Sequence, residues 1–288
     1  MLQARRAGGP PPLPTPQSDR VSVGSVRSLL LTILGEFVMP SGQAAWTSSL
    51  LHALSGVGIT GNAARQAIAR SASAGWIESE KDGRQVRWRL TPAGHRTIEE
   101  GARRIFALSS PREPWDGQWR VLVITVPNSH RDARRKLYRA LSWAGFGNPS
   151  AGTWVSPNAA AVPAATRTVD ELDLNSSCLS FSGPGLGIGL SDRDIVQQAW
   201  DLQDIADKYR RSLDRFTGLT PTSGDDALFT QIALVNEWQR FPYMDPMLPE
   251  ALLPSRWIGR SAPARFQELR VEWHESAQQR WAEVNSSA

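Results

Sequence analysis

Asp82-Gly83 is a strong signal for a two-residue β-hairpin turn, and it lies between two short runs, residues 76–81 and 85–90. In the second run, apolar side chains alternate with Arg, as a half-buried strand requires. A helix-sized run directly precedes the hairpin. Thr60 is placed to cap the start of this helix, and Gly75 suits its C-terminal end. The chain must therefore fold a helix and a charged hairpin back to back.

Two more helices are predicted in front of this pair. Apolar residues recur at spacings of three and four over residues 26–37 and again over residues 46–54, as on one face of a helix. Three helices followed by a hairpin is the order of a winged helix-turn-helix domain, whose third helix enters a DNA major groove. Thr91-Pro92 then predicts a fourth helix that runs to about Leu108.

The third helix and the hairpin carry side chains suited to DNA. Arg matches guanine and Gln matches adenine in donor and acceptor geometry, and hairpin cations suit phosphate or groove contacts. A solvated surface, or a winged helix that serves only protein interaction, is the alternative. The predicted DNA-binding residues are Asn62, Arg65, Gln66, Arg70 and Ser73 on the helix, and Lys81, Arg84, Arg87 and Arg89 in the hairpin.

The charge distribution agrees with a polyanionic partner at the front of the chain. Residues 1–110 contain 13 Lys and Arg against 7 Asp and Glu, and residues 111–167 contain 8 against 3. Residues 168–288 reverse the balance, with 11 against 18. A basic front and an acidic back favour nucleic acid as the partner of the front, although charge drift between domains gives the same counts.

A small α+β domain with a ferredoxin-like arrangement is predicted after a linker at 109–118, which contains two Pro and a Gly. Its predicted elements are a strand at 119–126, a helix at 130–144, a strand at 153–155, a helix at 160–172 and a strand at 178–181.

The remainder is predicted to be mostly helical. Near-heptad apolar spacing runs unbroken from Ile195 to Phe216, and further helices are predicted over 228–235 and 266–281. The fold class is therefore α+β. The predicted parts are a disordered tail at 1–20, a winged helix domain at 21–110, a ferredoxin-like α+β domain at 115–185 and a helical C-terminal domain at 190–288.

Composition argues against several other classes of protein. No apolar run approaches the ~20 residues that span a bilayer, and the first twenty residues lack the apolar core of a signal peptide. Cys178 is the only cysteine, so an internal disulfide is impossible. These features predict a cytoplasmic protein with no membrane partner.

No cofactor, metal or catalytic group is predicted. His52, His95, His130 and His274 lack metal-ligand spacing, and no Ser-His-Asp arrangement is evident. The glycine-rich stretch GPGLGIG at 183–189 departs from the dinucleotide-binding pattern, which favours a flexible interdomain loop. The chain is accordingly predicted not to be an enzyme.

Five blocks of the sequence keep the order of a known family. They are SVRSLLLTILGEFVMPSGQAAWTSSLLHAL, GITGNAARQAIARSASAGWIESEKDGRQVRWRLTPAG, WDGQWRVLVITVP, LSWAGFGNPSAGTWVSP and LVNEWQRFPYMDPMLPEALLPSRWIGRSA. The family that they resemble is the PaaX family of transcriptional repressors, which control phenylacetic acid degradation in bacteria. The resemblance covers nearly the whole chain after the tail.

The resemblance implies a homodimeric repressor. It would bind a partly palindromic operator in double-stranded DNA and release it when an aromatic acyl-CoA thioester, such as phenylacetyl-CoA, binds. The family's middle domain is similar to a small CRISPR-associated nuclease subunit that uses an acidic residue at the end of its first strand. Residues 124–128 contain no carboxylate here, and metal-assisted cleavage needs such ligands. A scaffold, dimer surface or effector site is therefore expected instead.

A basic stripe on the helix at 130–144 is the predicted effector site, because guanidinium groups match the phosphates of CoA. A DNA backbone contact and a solvated helix face are the alternatives. A CoA-thioester-handling enzyme with an accessory DNA-binding module, and a ligand-independent interaction protein, are the competing functions. The stripe consists of Arg131, Arg134, Arg135 and Arg139.

Overall fold

The computed structural model describes residues 25–126, 130–221 and 224–286, so the predicted tail at 1–20 lies outside the described residues. Helices and two small antiparallel sheets make up the fold, and the predicted α+β class is confirmed. Within the described residues, no helix combines the length and the apolar composition that a bilayer crossing demands.

The first predicted helix is present and contains an irregular turn. Helix α1 (Val26–Ile33) continues into a π-helical turn (Leu34–Val38) and a short helical turn (Met39–Ser41). Gly42 then ends the helix with φ 63°, a left-handed conformation that favours glycine. One face of α1 and of the π turn is fully buried, as the apolar spacing predicts.

The next elements form the predicted winged helix. Helix α2 (Thr47–Gly56) leads to α3 (Gly61–Ser73), whose start is capped as predicted, because the Ala63 N–H donates to Thr60 Oγ1 at 3.4 Å. A hairpin and a helix follow. They are β2 (Ile77–Asp82), β3 (Gln85–Leu90) and α4 (Pro92–Ala107).

The hairpin turn lies one residue later than predicted. Asp82 pairs with Gln85, so the two central residues are Gly83 and Arg84 rather than Asp82-Gly83. Gly83 has φ 59°, and glycine at the first central position is the rule in a type II′ hairpin turn. The shift places Arg84 at the tip of the hairpin. A further strand, β1 (Ala45–Trp46), pairs with β3 and was not predicted, because two residues are too few to show alternation.

The middle segment has the β-α-β-β-α-β order of a ferredoxin-like domain, and its four strands form an antiparallel sheet in the order β5-β6-β4-β7. The sequence did not predict β5, which has the sequence Gly-Asn-Pro-Ser and contains no residue that favours strands. Residues 127 and 128, which belong to the stretch 124–128 without a carboxylate, lie outside the described residues. The elements are β4 (Trp119–Ile124), α5 (Arg131–Trp143), β5 (Gly147–Ser150), β6 (Thr153–Ser156), α6 (Val162–Glu171) and β7 (Cys178–Gly183).

The C-terminal part is helical, with one correction. The continuous helix predicted from Ile195 to Phe216 is interrupted at Trp200, whose φ of −138° and ψ of 135° are extended. The Asp201 side chain caps the second half by accepting a hydrogen bond from the Asp204 N–H at 2.9 Å. The helices are α7 (Asp192–Ala199), α8 (Leu202–Phe216), α9 (Gly224–Trp238) and α10 (Ala262–Ser286).

The winged helix and the last two helices share one hydrophobic core. Leu228 and Ile232 of α9 and Trp281 of α10 belong to the same buried cluster as α1, α2 and α3, and Trp281 stacks on Phe37 with 5.5 Å between ring centroids. The two segments predicted as separate domains, 21–110 and 190–288, therefore contribute side chains to one common core.

The predicted linker at 109–118 is anchored by a buried ion pair. Arg112 Nη2 lies 3.1 Å from Asp245 Oδ2, and the two side chains are 8% and 1% exposed. The Tyr209 hydroxyl donates to the same carboxylate oxygen at 3.1 Å, and burial together with Asp245 raises the Tyr209 pKa far above its usual range. A buried carboxylate needs such partners, so this part of the linker is held against the C-terminal helices.

Candidate nucleic-acid interface

Helix α3 is built with one buried face and one polar, exposed face. Ala64, Ala67, Ile68 and Ser71 face the core, and the small side chains of the two Ala and of Ser71 allow α3 to lie close against α1 and α2. The opposite face is exposed to solvent. It carries all five residues predicted on this helix, namely Asn62, Arg65, Gln66, Arg70 and Ser73.

The exposed cations of α3 are largely available to a ligand. Arg70 Nη1 donates to Gln66 Oε1 at 3.5 Å, which is a weak contact on an exposed surface. Within the described part of the chain, no ion pair forms at Arg65 or Arg70. Arg27 of α1 adds a third positive charge near these two. Burial lowers the Arg27 pKa, and the neighbouring charge of Arg70 lowers it further. Arg27 was not predicted as part of this surface, because its position in α1 gives no sign in the sequence that it lies near α3.

The hairpin cations divide into two groups. Arg87 contacts Glu80 at 3.4 Å and Asp82 at 3.1 Å, and Arg89 contacts Glu80 at 3.3 Å. These acidic partners are on the opposing strand β2. Lys81 and Arg84 are exposed and form no ion pair with another described residue. The structure therefore leaves the tip of the hairpin more positive than its stem.

Hydrogen bonds fix the hairpin relative to the helices. The Trp88 indole N–H donates to Thr47 Oγ1 at 2.9 Å, and that hydroxyl donates to the Val86 carbonyl at 3.0 Å. At the other end, the Thr91 N–H donates to the Trp76 carbonyl at 3.0 Å. The hairpin is therefore held against α2 and against the segment at Trp76 that follows α3.

The predicted effector stripe on α5 is only partly exposed. Arg131 and Arg135 are exposed, and Arg135 pairs with Asp132 at 3.0 Å. Arg134 is half-buried and donates to the Val126 carbonyl at 2.8 Å, and Arg139 is also half-buried. None of the four side chains of the stripe borders either of the two cavities described next.

Two cavities do occur elsewhere in the described residues. One, of about 410 Å³, lies on the middle domain between its sheet and α6. The other, of about 560 Å³, lies between α1, α4, α9 and α10. Neither was predicted, and the walls of the second come from segments of which some lie more than two hundred residues apart in the sequence. No group of three or more potential metal ligands is found in the part that the structure describes.

Three family models match the chain in succession. A model described as PaaX-like protein matches residues 25–94, one described as PaaX protein central Cas2-like domain matches residues 112–193, and one described as PaaX-like protein C-terminal domain matches residues 200–283. Together they account for most of the chain and agree with the winged helix, the ferredoxin-like segment and the C-terminal helices.

The chain is also similar to individual proteins. The transcriptional repressor PaaX of Escherichia coli K12 is 25% identical over 246 residues, which cover 82% of this chain and 76% of that protein. A solved structure, the uncharacterized protein Rv0674 from Mycobacterium tuberculosis, matches with a TM-score of 0.59 and 22% identity over 90% of this chain and 98% of that one. The second likeness supports the fold. Since all three family models and the curated relative agree, the chain belongs to the PaaX family.

Proposed function

We propose that the protein is a DNA-binding transcriptional repressor. The observation that carries the proposal is the open face of α3, where five polar or basic side chains stand beside a rigidly attached hairpin. Membership in the PaaX family, whose Escherichia coli relative is a transcriptional repressor, supports regulation over the alternative of a CoA-thioester-handling enzyme.

Helix α3 would enter the major groove of the operator. Arg65 and Gln66 lie in its first two turns, the part of a recognition helix that contacts base edges. Arg70, with Arg27 behind it, adds positive charge further along the groove. Lys81 and Arg84 at the hairpin tip suit the phosphates of the flanking backbone.

Two copies would bind a partly palindromic operator as a homodimer. Strand β7 is at the edge of the middle sheet and exposes Leu179 by 61% and Phe181 by 54%, with Val123 of β4 beside them. An exposed apolar edge strand is a ready surface for pairing with another chain. The dimer would need to place its two α3 helices about 34 Å apart, or a multiple of that distance.

Release would depend on a small effector, for which an aromatic acyl-CoA is the candidate. An effector lowers DNA affinity only if it binds better to a conformation that fits the operator poorly. The α5 stripe offers two exposed cations for phosphate, Arg131 and Arg135, but none of its side chains borders either cavity described above.

Fluorescence anisotropy tests DNA binding directly. The full-length protein is titrated into a labelled duplex from its own upstream region and into a scrambled duplex of equal length, each at several salt concentrations. We expect tighter binding to the natural duplex and a log-log salt slope near −0.9 for each phosphate contact. Equal, salt-independent binding to both duplexes would contradict the proposal.

A further inference from the structure

The cavity between α1, α4, α9 and α10 has the properties of a small-molecule site. Its volume of about 560 Å³ lies within the range typical of ligand pockets. Most of its walls are apolar, with Leu31 and Met39 on one side, Ile98 and Ile105 of α4 on another, and Phe266 of α10 behind them. A compact apolar group fits this lining.

One wall of the cavity is polar and already ordered. Gln239 Nε2 donates to Thr32 Oγ1 at 2.7 Å, and the Ser28 hydroxyl donates to Gln239 Oε1 at 3.2 Å. Arg270 also borders the cavity, but two hydrogen bonds of 3.0 and 3.1 Å bind it to Glu36. Its charge is therefore already neutralised by a protein partner.

Arg104 is the cation that a ligand can use. It borders the cavity, and its side chain is 38% exposed. Its guanidinium pairs with the exposed Glu100, and its Cζ atom lies 4.6 Å from the centroid of the Trp143 ring. Exposed ion pairs one helical turn apart contribute little to stability. A carboxylate or carbonyl oxygen of a ligand can therefore replace Glu100 at modest cost and accept a charge-assisted hydrogen bond from Arg104.

The π-helical turn in the first helix borders the same cavity through Gly35 and Glu36. Such turns are rare and occur frequently at functional sites. A Cβ atom on Gly35 would lie 2.9 Å from Ile98 Cγ2, so glycine is what lets α4 approach this turn. The irregular turn therefore shapes the floor of the cavity.

Trp76 connects the cavity to the DNA-binding surface. It borders the cavity and lies between the end of α3 at Ser73 and the start of β2 at Ile77. The Arg27 guanidinium stacks 3.7 Å from its ring centroid. A ligand that contacts Trp76 therefore acts on the short segment that sets α3 relative to the hairpin.

We infer that this cavity is the effector site and that it takes an aryl-acyl group whose carboxylate or thioester carbonyl oxygen accepts a hydrogen bond from Arg104. The inference rests on the proposed function, and it locates the effector on the winged helix rather than on the α5 stripe. The ligand is either a free aromatic carboxylate or its CoA thioester, whose phosphates remain outside the cavity mouth. Occupancy shifts Trp76 and thereby changes how α3 and the hairpin fit one duplex.

Thermal unfolding with two probes, phenylacetate and phenylacetyl-CoA, tests the site. A ligand that binds only the folded state raises its Tm. Gly101 borders the cavity, and a Cβ atom there has no neighbour within 4 Å, so Gly101→Trp fills the space without a backbone clash. The control is Ala107→Trp, because Ala107 is exposed on the same helix and does not border the cavity. We expect a probe to raise the Tm of the wild type and of this control. Gly101→Trp should lose the response.

A second pair of variants covers the case in which Gly101→Trp fails to fold. Arg104→Gln should weaken probe binding about tenfold, the size of one charge-assisted hydrogen bond, while the neighbouring exposed control Arg103→Gln should not. A response to both probes identifies the aryl-acyl group itself as the ligand, and a response to phenylacetyl-CoA alone identifies the thioester.

The inference is overturned if neither probe shifts the wild-type Tm, or if Gly101→Trp and Arg104→Gln both respond as the wild type does. The repressor proposal fails separately, if the wild-type protein without any probe does not prefer its own upstream duplex. Anisotropy on each variant without probe therefore keeps the two outcomes apart.

Discussion

At the scale of single residues, Arg65 and Gln66 should determine sequence preference. Both are exposed on α3, and a bidentate contact to a base contributes about 1–3 kcal/mol of discrimination. Arg65→Ala or Gln66→Ala should therefore cost about that much on the natural operator and relax specificity at one base pair. Anisotropy on operators with single substitutions measures both effects.

Arg211→Ala is the matched control, because Arg211 is an exposed helical arginine in α8, away from the winged helix. It should leave operator affinity unchanged. If the double variant Arg65→Ala, Gln66→Ala retains wild-type affinity and specificity, α3 does not contact the bases.

Arg84 and Arg87 should differ although both are hairpin arginines. Arg84 occupies the turn and has no ion pair with another described residue, whereas Arg87 is held by Glu80 and Asp82. Arg84→Ala should weaken binding to all sequences alike and flatten the salt slope by about 0.9, the value for one phosphate contact. Arg87→Ala should change the slope less, and the reverse order would show that Arg87 leaves its acidic partners on binding.

At the scale of elements, two glycines in α4 should respond in opposite directions to the same substitution. A Cβ atom on Gly94 would lie 2.1 Å from the Trp76 carbonyl oxygen, whereas one on Gly101 has open space around it. Gly94→Ala should destabilise the fold by about 1–3 kcal/mol through overpacking. Gly101→Ala should stabilise it by about 0.5–1 kcal/mol, because glycine is unfavourable inside a helix. Urea unfolding of both variants tests the pair, and equal signs would contradict it.

Periodicity explains why some elements and site residues were predicted and others were not. The 3.6-residue pattern of α3 identifies its outward residues, because each buried Ala or Ile implies an exposed neighbour. The pattern does not reveal β1, which is too short, or β5, which is poor in strand-favouring residues. It also does not reveal the helix break at Trp200, because the apolar spacing continues through the extended backbone there. The contacts of Arg87 with Glu80 depend on the strand register, which the turn position decides.

At the scale of the whole molecule, acid should weaken the contact between the winged helix and the C-terminal helices. Asp225 of α9 accepts hydrogen bonds from Arg280 Nε at 2.9 Å and contacts His52 Nε2 of α2 at 2.8 Å. The Arg280 hydrogen bond and then His52 hold the Asp225 pKa below its usual range. Because this pKa is lowered on folding, the stabilisation is complete above the unfolded value of about 3.9 and is lost as the pH falls through the folded value.

Urea unfolding from pH 6 to pH 3 measures this dependence. Asp225→Asn should lose less stability over that range than the wild type does, because its side chain cannot be protonated. Asp214→Asn, on the exposed surface of α8, should follow the wild-type curve. Identical pH profiles for all three proteins would show that Asp225 does not link the two parts.

The shared core makes DNA binding depend on the far end of the chain. Trp281 of α10 is 3% exposed and stacks on Phe37, next to α1, whereas Trp154 is equally buried in the separate core of the middle domain. Each Trp→Ala substitution should cost about 3–5 kcal/mol. Only Trp281→Ala should speed hydrogen exchange in α1 and α2 and lower operator affinity, because only its cavity opens against the helices that support α3. If Trp154→Ala affects those helices equally, the molecule unfolds as a single unit and the winged helix has no special dependence on α10.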